Sequence, residues 1–322
     1  LDRADDCPDA TAARGWEQPL DLVSFFYTEV IPVGLWIVML GLGLSLTPAD
    51  IRTVFVMPKA ICVGLTGQLI LLPILAFILA KLFAPTPAIA VGAIILAACP
   101  GGVTSNAYSF ASRADVALSV SLTAVTSFIT VFSVPLVTYF ALDYFFAAGT
   151  APELPIVEMM YTLAKLTIIP VGIGMIIRQI WAERAKRLIE ALRMTTFIFL
   201  LALIITGSLL AIDVLRQYFL QTATVALSLN VISMAMGFGL GRLFRLNVPQ
   251  SVAITYEIGV QNISLASLIM LSVLQNEEIF VVAVVYAAIM KLTALGFMQF
   301  ARRWLAETDS TARASAEVVR IS

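Results

Sequence analysis

The 322-residue chain contains no histidine. Imidazole is therefore absent from every role it fills near neutral pH, whether general base, proton relay, triad member or metal ligand. Cysteine is nearly absent too. Of the three, Cys7 stands alone near the N-terminus and Cys62 and Cys99 fall within apolar runs, which leaves no disulfide framework and no CxxC site. Cys62 and Cys99 are expected as small buried hydrophobes. Charged residues make up only 13% of the chain, the net charge is −1 and the pI is about 5.6. With no basic stripe outside short loops, nucleic acid is not an expected partner. Paired catalytic acids and a Ser-Lys pair at a recognisable spacing are also missing, so the chain does not read as an enzyme.

What the chain has in abundance is hydrocarbon: 60% of its residues are hydrophobic and its mean hydropathy is +0.95. That is the composition of a membrane protein. Apolar stretches of bilayer length lie near 22 to 46, 59 to 81, 88 to 112, 115 to 141, 156 to 178, 192 to 212, 219 to 241, 249 to 273 and 279 to 301. Nine spans place the termini on opposite sides. Arg52, Lys59, Arg113, Arg178, Arg184, Lys186, Arg187, Arg193, Arg242, Arg245, Arg302 and Arg303 fall in alternate loops or at the C-terminus. The opposite loops hold most of the acids, among them Asp143, Glu153, Asp213, Glu277 and Glu278. The positive-inside rule then predicts an outside N-terminus and a cytoplasmic C-terminus in a cell membrane, bacterial inner or plasma. Residues 1–21, acidic and without a signal-type apolar core, are expected as an extracytoplasmic tail, and 302–322 as a cytoplasmic one.

Two of the spans carry helix breakers beside side-chain oxygens. One contains Cys99-Pro100-Gly101-Gly102-Val103-Thr104-Ser105-Asn106; the other contains Tyr256-Glu257-Ile258-Gly259-Val260-Gln261-Asn262. An unpaired backbone group in hydrocarbon costs several kcal/mol, so such breaks persist only inside protein or along a wet cavity. The two spans point in opposite directions. Flanked by their neighbours they form triplets, core half 1 at 59–141 and core half 2 at 219–301, related as an inverted repeat. Residues 22–58 and 156–212 remain as a separate panel.

At these residues the chain resembles the bile acid:sodium symporter family. The likeness rests on the CPGG-x-x-SN run, on Arg113-Ala114-Asp115-Val116-Ala117-Leu118-Ser119 after it, on the E-x-G-x-Q-N run, and on Met39-Leu40-Gly41-Leu42-Gly43-Leu44-Ser45-Leu46. It implies an all-α polytopic protein with two broken helices crossing in a core domain beside a panel domain. Nine spans match the animal, apical-type carriers, one fewer than the bacterial form. The family's two sodium sites, carried over, use Ser105, Asn106, Ser119, Thr123 and Glu257 for the first. The second takes Gln68, Glu257, Gln261 and the backbone carbonyls of Ile258 and Val260.

The residues themselves support part of this. A carboxylate at bilayer depth needs a partner or a wet cavity, and Ser119 and Thr123, four apart, share a helix face. Read singly, Ser119 and Thr123 are hydroxyls bonded to their own helix, and Gln68 is interhelical glue. Two sodium ions against one carboxylate leave positive charge, which favours an organic anion near the resumed half-helices. Thr104, Asn262, Ser264 and Lys291 are the substrate candidates, with helix capping as the plainer role for Thr104 and Asn262. Lys291 departs from the bacterial pattern, in which His and Asn stand where this chain has Thr293 and Ala294. Three roles are open to it: meeting the substrate, pairing with Glu257 in place of a sodium, or snorkelling. The expected function is sodium-coupled import of an organic anion, whether bile acid-like, a steroid sulfate, or a small carboxylate such as pantoate or a 2-keto acid. The competing reading is a metalloid (arsenite) efflux permease using the Cys99 thiolate.

Overall fold

The computed structural model of the chain describes residues 23–147, 149–152 and 154–321. The expected tail 1–21, with Cys7, and Glu153 lie outside them. The described residues are helical throughout, without strands: α1 (Val23–Ser45), α2 (Pro48–Val56), α3 (Pro58–Phe83), α4 (Pro87–Ala98), α5 (Val103–Ala111) and α6 (Val116–Phe145) come first. They are followed by α7 (Ile156–Ile180), α8 (Ala182–Leu210), α9 (Ile212–Leu243), α10 (Val248–Gly259), α11 (Ile263–Val273) and α12 (Glu277–Ile321).

Seven of these helices, among the described residues, are long and apolar enough to cross a membrane: α1, α3, α6, α7, α8, α9 and the Glu277–Leu305 part of α12. Nine such helices are not observed among the described residues: the ranges expected as the third and eighth spans each hold two shorter helices, α4 with α5 and α10 with α11. These short helices are the most enclosed. All of Ala88–Ala98 in α4, apolar on every face, and all of Ser251–Gly259 in α10, Glu257 included, are buried. Two other boundaries also differ from expectation. Only Ala211 separates α8 from α9, the turn being taken instead at a kink at Tyr218 (φ −116°, ψ 17°). And α12 runs on past 301 to Ile321, since no Gly or Pro interrupts it there.

Helix signals read directly from the sequence. Proline begins α2, α3 and α4, where its missing N–H costs nothing. Thr86, Asp115 and Asn247 cap α4, α6 and α10 through their side-chain oxygens. Inside α1, α3 and α7, π-turns at Phe26–Val30, Gly67–Leu71 and Ala164–Ile168 directly precede Pro32, Pro73 and Pro170. A proline ring cannot follow a tight turn without striking the carbonyl four residues back, and widening the turn relieves the clash.

Helices α1, α7 and α8 pack on one another; α3, α4, α5, α6, α9, α10, α11 and α12 form a second group. Close approach of α1 and α7 depends on glycine: a Cβ on Gly174 would lie 2.6 Å from the Leu40 carbonyl oxygen and 2.6 Å from the Leu44 nitrogen. The groups meet where α6 touches α7, α8 touches α12 and α1 touches α11. At the last joint Tyr27 donates to Glu277 Oε1 (2.7 Å) and Ser272 donates to the Tyr27 carbonyl (2.6 Å). Cys62 is exposed, contrary to expectation, because it falls on the outward face of α3; Cys99 is buried as expected.

Candidate cation and substrate site

Pro100, which has no N–H, and the Gly101-Gly102 pair end α4, and an extended stretch carries the chain to α5. Between α10 and α11 the chain is likewise extended or irregular at Val260 and Asn262. The two stretches meet. Gly101 and Gln261 form an isolated antiparallel bridge, and the Asn262 N–H donates to the Pro100 carbonyl at 3.0 Å. Each unwound segment thus satisfies backbone groups of the other, as buried irregular backbone requires.

Glu257, fully buried, points its carboxylate at this junction. Thr123 Oγ1 lies 2.8 and 3.0 Å from its two oxygens, and Ser105 Oγ lies 2.9 Å from Oε2. Asn106 Oδ1 joins the same group, 2.8 Å from Ser119 Oγ and 3.2 Å from Thr123 Oγ1. The structure therefore gathers Ser105, Asn106, Ser119, Thr123 and Glu257 from α5, α6 and α10. Along these contacts acceptors outnumber protons, while Asn106 Nδ2 is buried without a partner. Thr123 has one, yet four acceptors surround it: both Glu257 oxygens, Asn106 Oδ1 and the Ser119 carbonyl at 3.1 Å. Ser105 has one, shared between Glu257 and the Gly102 carbonyl at 2.7 Å. No cationic side chain pairs with Glu257 among the described residues. A surplus of oxygen lone pairs around an unpaired carboxylate is the donor set of a hard cation. Among the described residues no three of His, Cys, Asp or Glu cluster, so a transition metal has no comparable ligand set.

A second group lies across the junction. Gln68, on the α3 π-turn, donates to the Cys99 carbonyl (2.7 Å) and to Gln261 Oε1 (3.0 Å), and Gln261 donates to the Ile258 carbonyl (2.7 Å). Gln68 Oε1 is buried without a partner. Gln68, Gln261 and the Ile258 carbonyl are thus together. Val260 is buried beside them, and its N–H donates to the Tyr256 carbonyl. Glu257 directs its hydrogen bonds to the first group only.

Thr104, Asn262, Ser264 and Lys291 line one narrow cleft of about 40 Å³, with Gly102, Gln261 and, from α8, Thr196. Asn262 caps α11 by accepting from the Leu265 N–H at 3.1 Å. Thr104 does not cap α5, whose N-cap is Gly102 and which has no side-chain cap. Lys291 is exposed on this cleft, not paired with Glu257. Cys99 is fully buried behind the cleft and does not line it.

One polar group went unpredicted. Asn230 of α9 donates to the Gly259 carbonyl (2.8 Å) and to Tyr286 (3.2 Å) and accepts from Thr293 (2.5 Å), while Tyr286 also donates to Gly259 (3.0 Å). It satisfies the carbonyl freed where α10 ends. The available signal was an amide in the middle of an apolar span.

Apolar helices of bilayer length, enclosing an oxygen cluster and a cleft at a junction of interrupted helices, make this chain an integral membrane transporter. It belongs to the Sodium Bile acid symporter family, whose pattern residues 32–218 match. Among curated relatives, the uncharacterized sodium-dependent transporter YocS of Bacillus subtilis (strain 168) is 26% identical over 74% of this chain and 73% of its own. The probable chloroplastic sodium/metabolite cotransporter BASS1 of Oryza sativa subsp. japonica is 27% identical over 79% of this chain and 60% of its own. Human sodium/bile acid cotransporter 4 is 27% identical over 79% and 58%. The chain spans about three fifths of the plant and human relatives it matches. Family and relatives are transporters, not enzymes.

Proposed function

We propose that the protein is a sodium-coupled symporter importing an organic anion by alternating access. The observation that carries this is the excess of acceptor oxygens over protons around Glu257. A first sodium is held by Ser105, Asn106, Ser119, Thr123 and Glu257. A second is held by Gln68, Glu257, Gln261 and the carbonyls of Ile258 and Val260, a reading supported by the partnerless Gln68 Oε1. The anion binds at the cleft of Thr104, Asn262, Ser264 and Lys291, beside the starts of α5 and α11, and the cleft, now about 40 Å³, opens to admit it.

In the membrane we read nine spans, counting α4–α5 and α10–α11 as two broken helices related by an inverted repeat. The second group of helices is the moving core and α1, α7 and α8 the panel, with the N-terminus outside in a cell membrane. For a monoanion with two sodium ions, a tenfold gradient supplies about 1.4 kcal/mol per ion, and one net charge at 100 mV about 2.3. The total of about 5 kcal/mol supports accumulation of a few thousandfold. The arsenite alternative is weakened by Cys99, which lies outside the cleft.

Uptake of a panel of labelled bile acids, steroid sulfates and small carboxylates by proteoliposomes, with and without sodium, tests the reading; no sodium-stimulated uptake of any would reject it. Lys291→Met is expected to raise the half-saturating anion concentration tenfold or more, since a charge-assisted contact is worth about 1.5 to 3 kcal/mol. An unchanged value would remove Lys291 from the site. Gln68→Ala is expected to lower the Hill coefficient for sodium from near two towards one. A parent coefficient of one would refute the two-site reading.

A further inference from the structure

Gly259, the last residue of α10, has no room for a side chain, because α9 passes so close that a Cβ there would overlap Met234. The peptide that follows a glycine is loosely held, since no other residue has so wide a choice of torsions. Here two donors hold it. Asn230 Nδ2 from α9 (2.8 Å) and the Tyr286 hydroxyl from α12 (3.0 Å) both donate to the Gly259 carbonyl. Both side chains are 0% exposed. Gly259 offers only an acceptor, so the Asn230 NH2 faces it and Oδ1 is left to accept from Thr293 (2.5 Å). A carbonyl oxygen has two lone pairs, and at Gly259 both are taken, which leaves none for a cation.

A helix leaves its last carbonyls without partners of its own, and at the end of α10 consecutive residues go different ways. Ile258 accepts from Gln261 Nε2 (2.7 Å) at the junction, Gly259 is turned to α9 and α12, and Val260 leaves the helix at φ −116° and ψ 97°. Rotation of the peptide between Gly259 and Val260 would redirect the carbonyls on either side of it. The Glu257 carboxylate is insulated from that rotation, being tied separately to Ser105 and Thr123. The end of α4 is restrained in a similar way, its Cys99 carbonyl accepting from Gln68 Nε2 (2.7 Å). Gln68 also reaches Gln261 (3.0 Å), so the segment from Gly259 to Gln261 is gripped by one amide from α3 and one from α9.

We propose that Asn230 and Tyr286 are positioning residues for the second sodium: by holding the Gly259 carbonyl towards α9 and α12, they aim the carbonyls of Ile258 and Val260 at the ion. This role rests on the two-sodium reading. Neither side chain touches the ion, and the first sodium, held by side-chain oxygens of α5, α6 and α10, does not depend on them. Outer partners of this kind tune a metal site by fixing the orientation of its ligands.

The test is equilibrium binding of radiolabelled sodium to the full chain in nanodiscs, without substrate. Parent protein is expected to bind two ions. Tyr286→Phe deletes one donor at nearly constant shape and Asn230→Ala deletes the other; each should weaken one ion about tenfold, as loss of a hydrogen bond to a buried carbonyl implies, and leave the other unchanged. Because Gln68→Ala acts on the same ion, adding it to Tyr286→Phe should cost less than the product of the two separate losses. Thr255→Val controls for a merely structural effect: Thr255 is buried in α10 and donates to the Ser251 carbonyl of its own helix (2.8 Å), so its loss should lower the unfolding temperature without changing either sodium affinity. Tyr286→Phe, which loses only one oxygen, decides the matter if Asn230→Ala does not assemble. Equal weakening of both ions, the same loss in Thr255→Val, or losses that simply multiply with Gln68→Ala would each overturn the positioning role. Two ions in the parent with unaltered binding in Tyr286→Phe would overturn that role alone, whereas a single ion in the parent would refute the two-sodium reading and the role with it.

Discussion

Glu257→Gln is expected to abolish sodium-driven uptake while leaving the helices assembled. The amide keeps one acceptor oxygen and almost the same volume, so the packing of α10 between α5, α6 and α9 is undisturbed. It removes the only formal negative charge of the oxygen cluster and turns an NH2 towards hydroxyls that need acceptors. The neutral oxygens left behind recover less of the several kcal/mol that desolvating a cation at bilayer depth costs than a carboxylate does. Uptake should fall to the level of empty liposomes at any sodium concentration, with the detergent unfolding temperature no longer raised by sodium. Sodium-dependent uptake near the parent rate would refute the assignment of Glu257.

Gly101→Ala should be nearly as damaging, although it adds a single methyl group. A Cβ at this position would overlap the Glu257 carboxylate, which is already fixed through both oxygens, and Gly101 is tied to Gln261 across the junction. Neither side can retreat freely. Overpacking of this kind costs about 1 to 3 kcal/mol, equivalent to a loss of sodium affinity of about 5- to 150-fold. Gly102→Ala is the internal control: there a Cβ would come no closer than 3.6 Å to Asn262, an ordinary contact, and sodium affinity should change little. The comparison is read from sodium titrations of uptake and of the unfolding temperature. Equal effects at Gly101 and Gly102 would mean that contact with the carboxylate is not what holds position 101 to glycine.

Much of this arrangement is legible one residue at a time. Pro100 and Gly101 announce the end of α4, and Asp115 and Asn247 announce the beginnings of α6 and α10, because backbone donors and φ restrictions are local properties. Glu257 stands out by itself, since an acid in an apolar run is costly wherever the run is placed. Asn230 carried a similar signal that spacing alone did not resolve, for its partner is the Gly259 carbonyl 29 residues later. The exposure of Cys62 and the unpaired oxygens of Ser127 and Thr167 were invisible, since sequence pattern does not say which face of a buried helix meets a neighbour.

Residue order alone marks the chain as a helical membrane protein, shows where helices end near Pro100 and Gly259, and names the side chains that bring oxygen to those ends. Hydrophobicity, proline and capping act over a few residues, and hydrocarbon forbids most other solutions. That Ser105, Thr123 and Glu257, from three separate helices, come within hydrogen-bond distance of one another follows from how those helices pack. Tertiary packing alone placed Lys291 on the cleft and away from Glu257. Those outcomes depend on how the helices are rotated and how closely they approach, down to the space left by one missing Cβ at Gly101. Such distances arise from packing between segments far apart in the chain, and no local pattern encodes them.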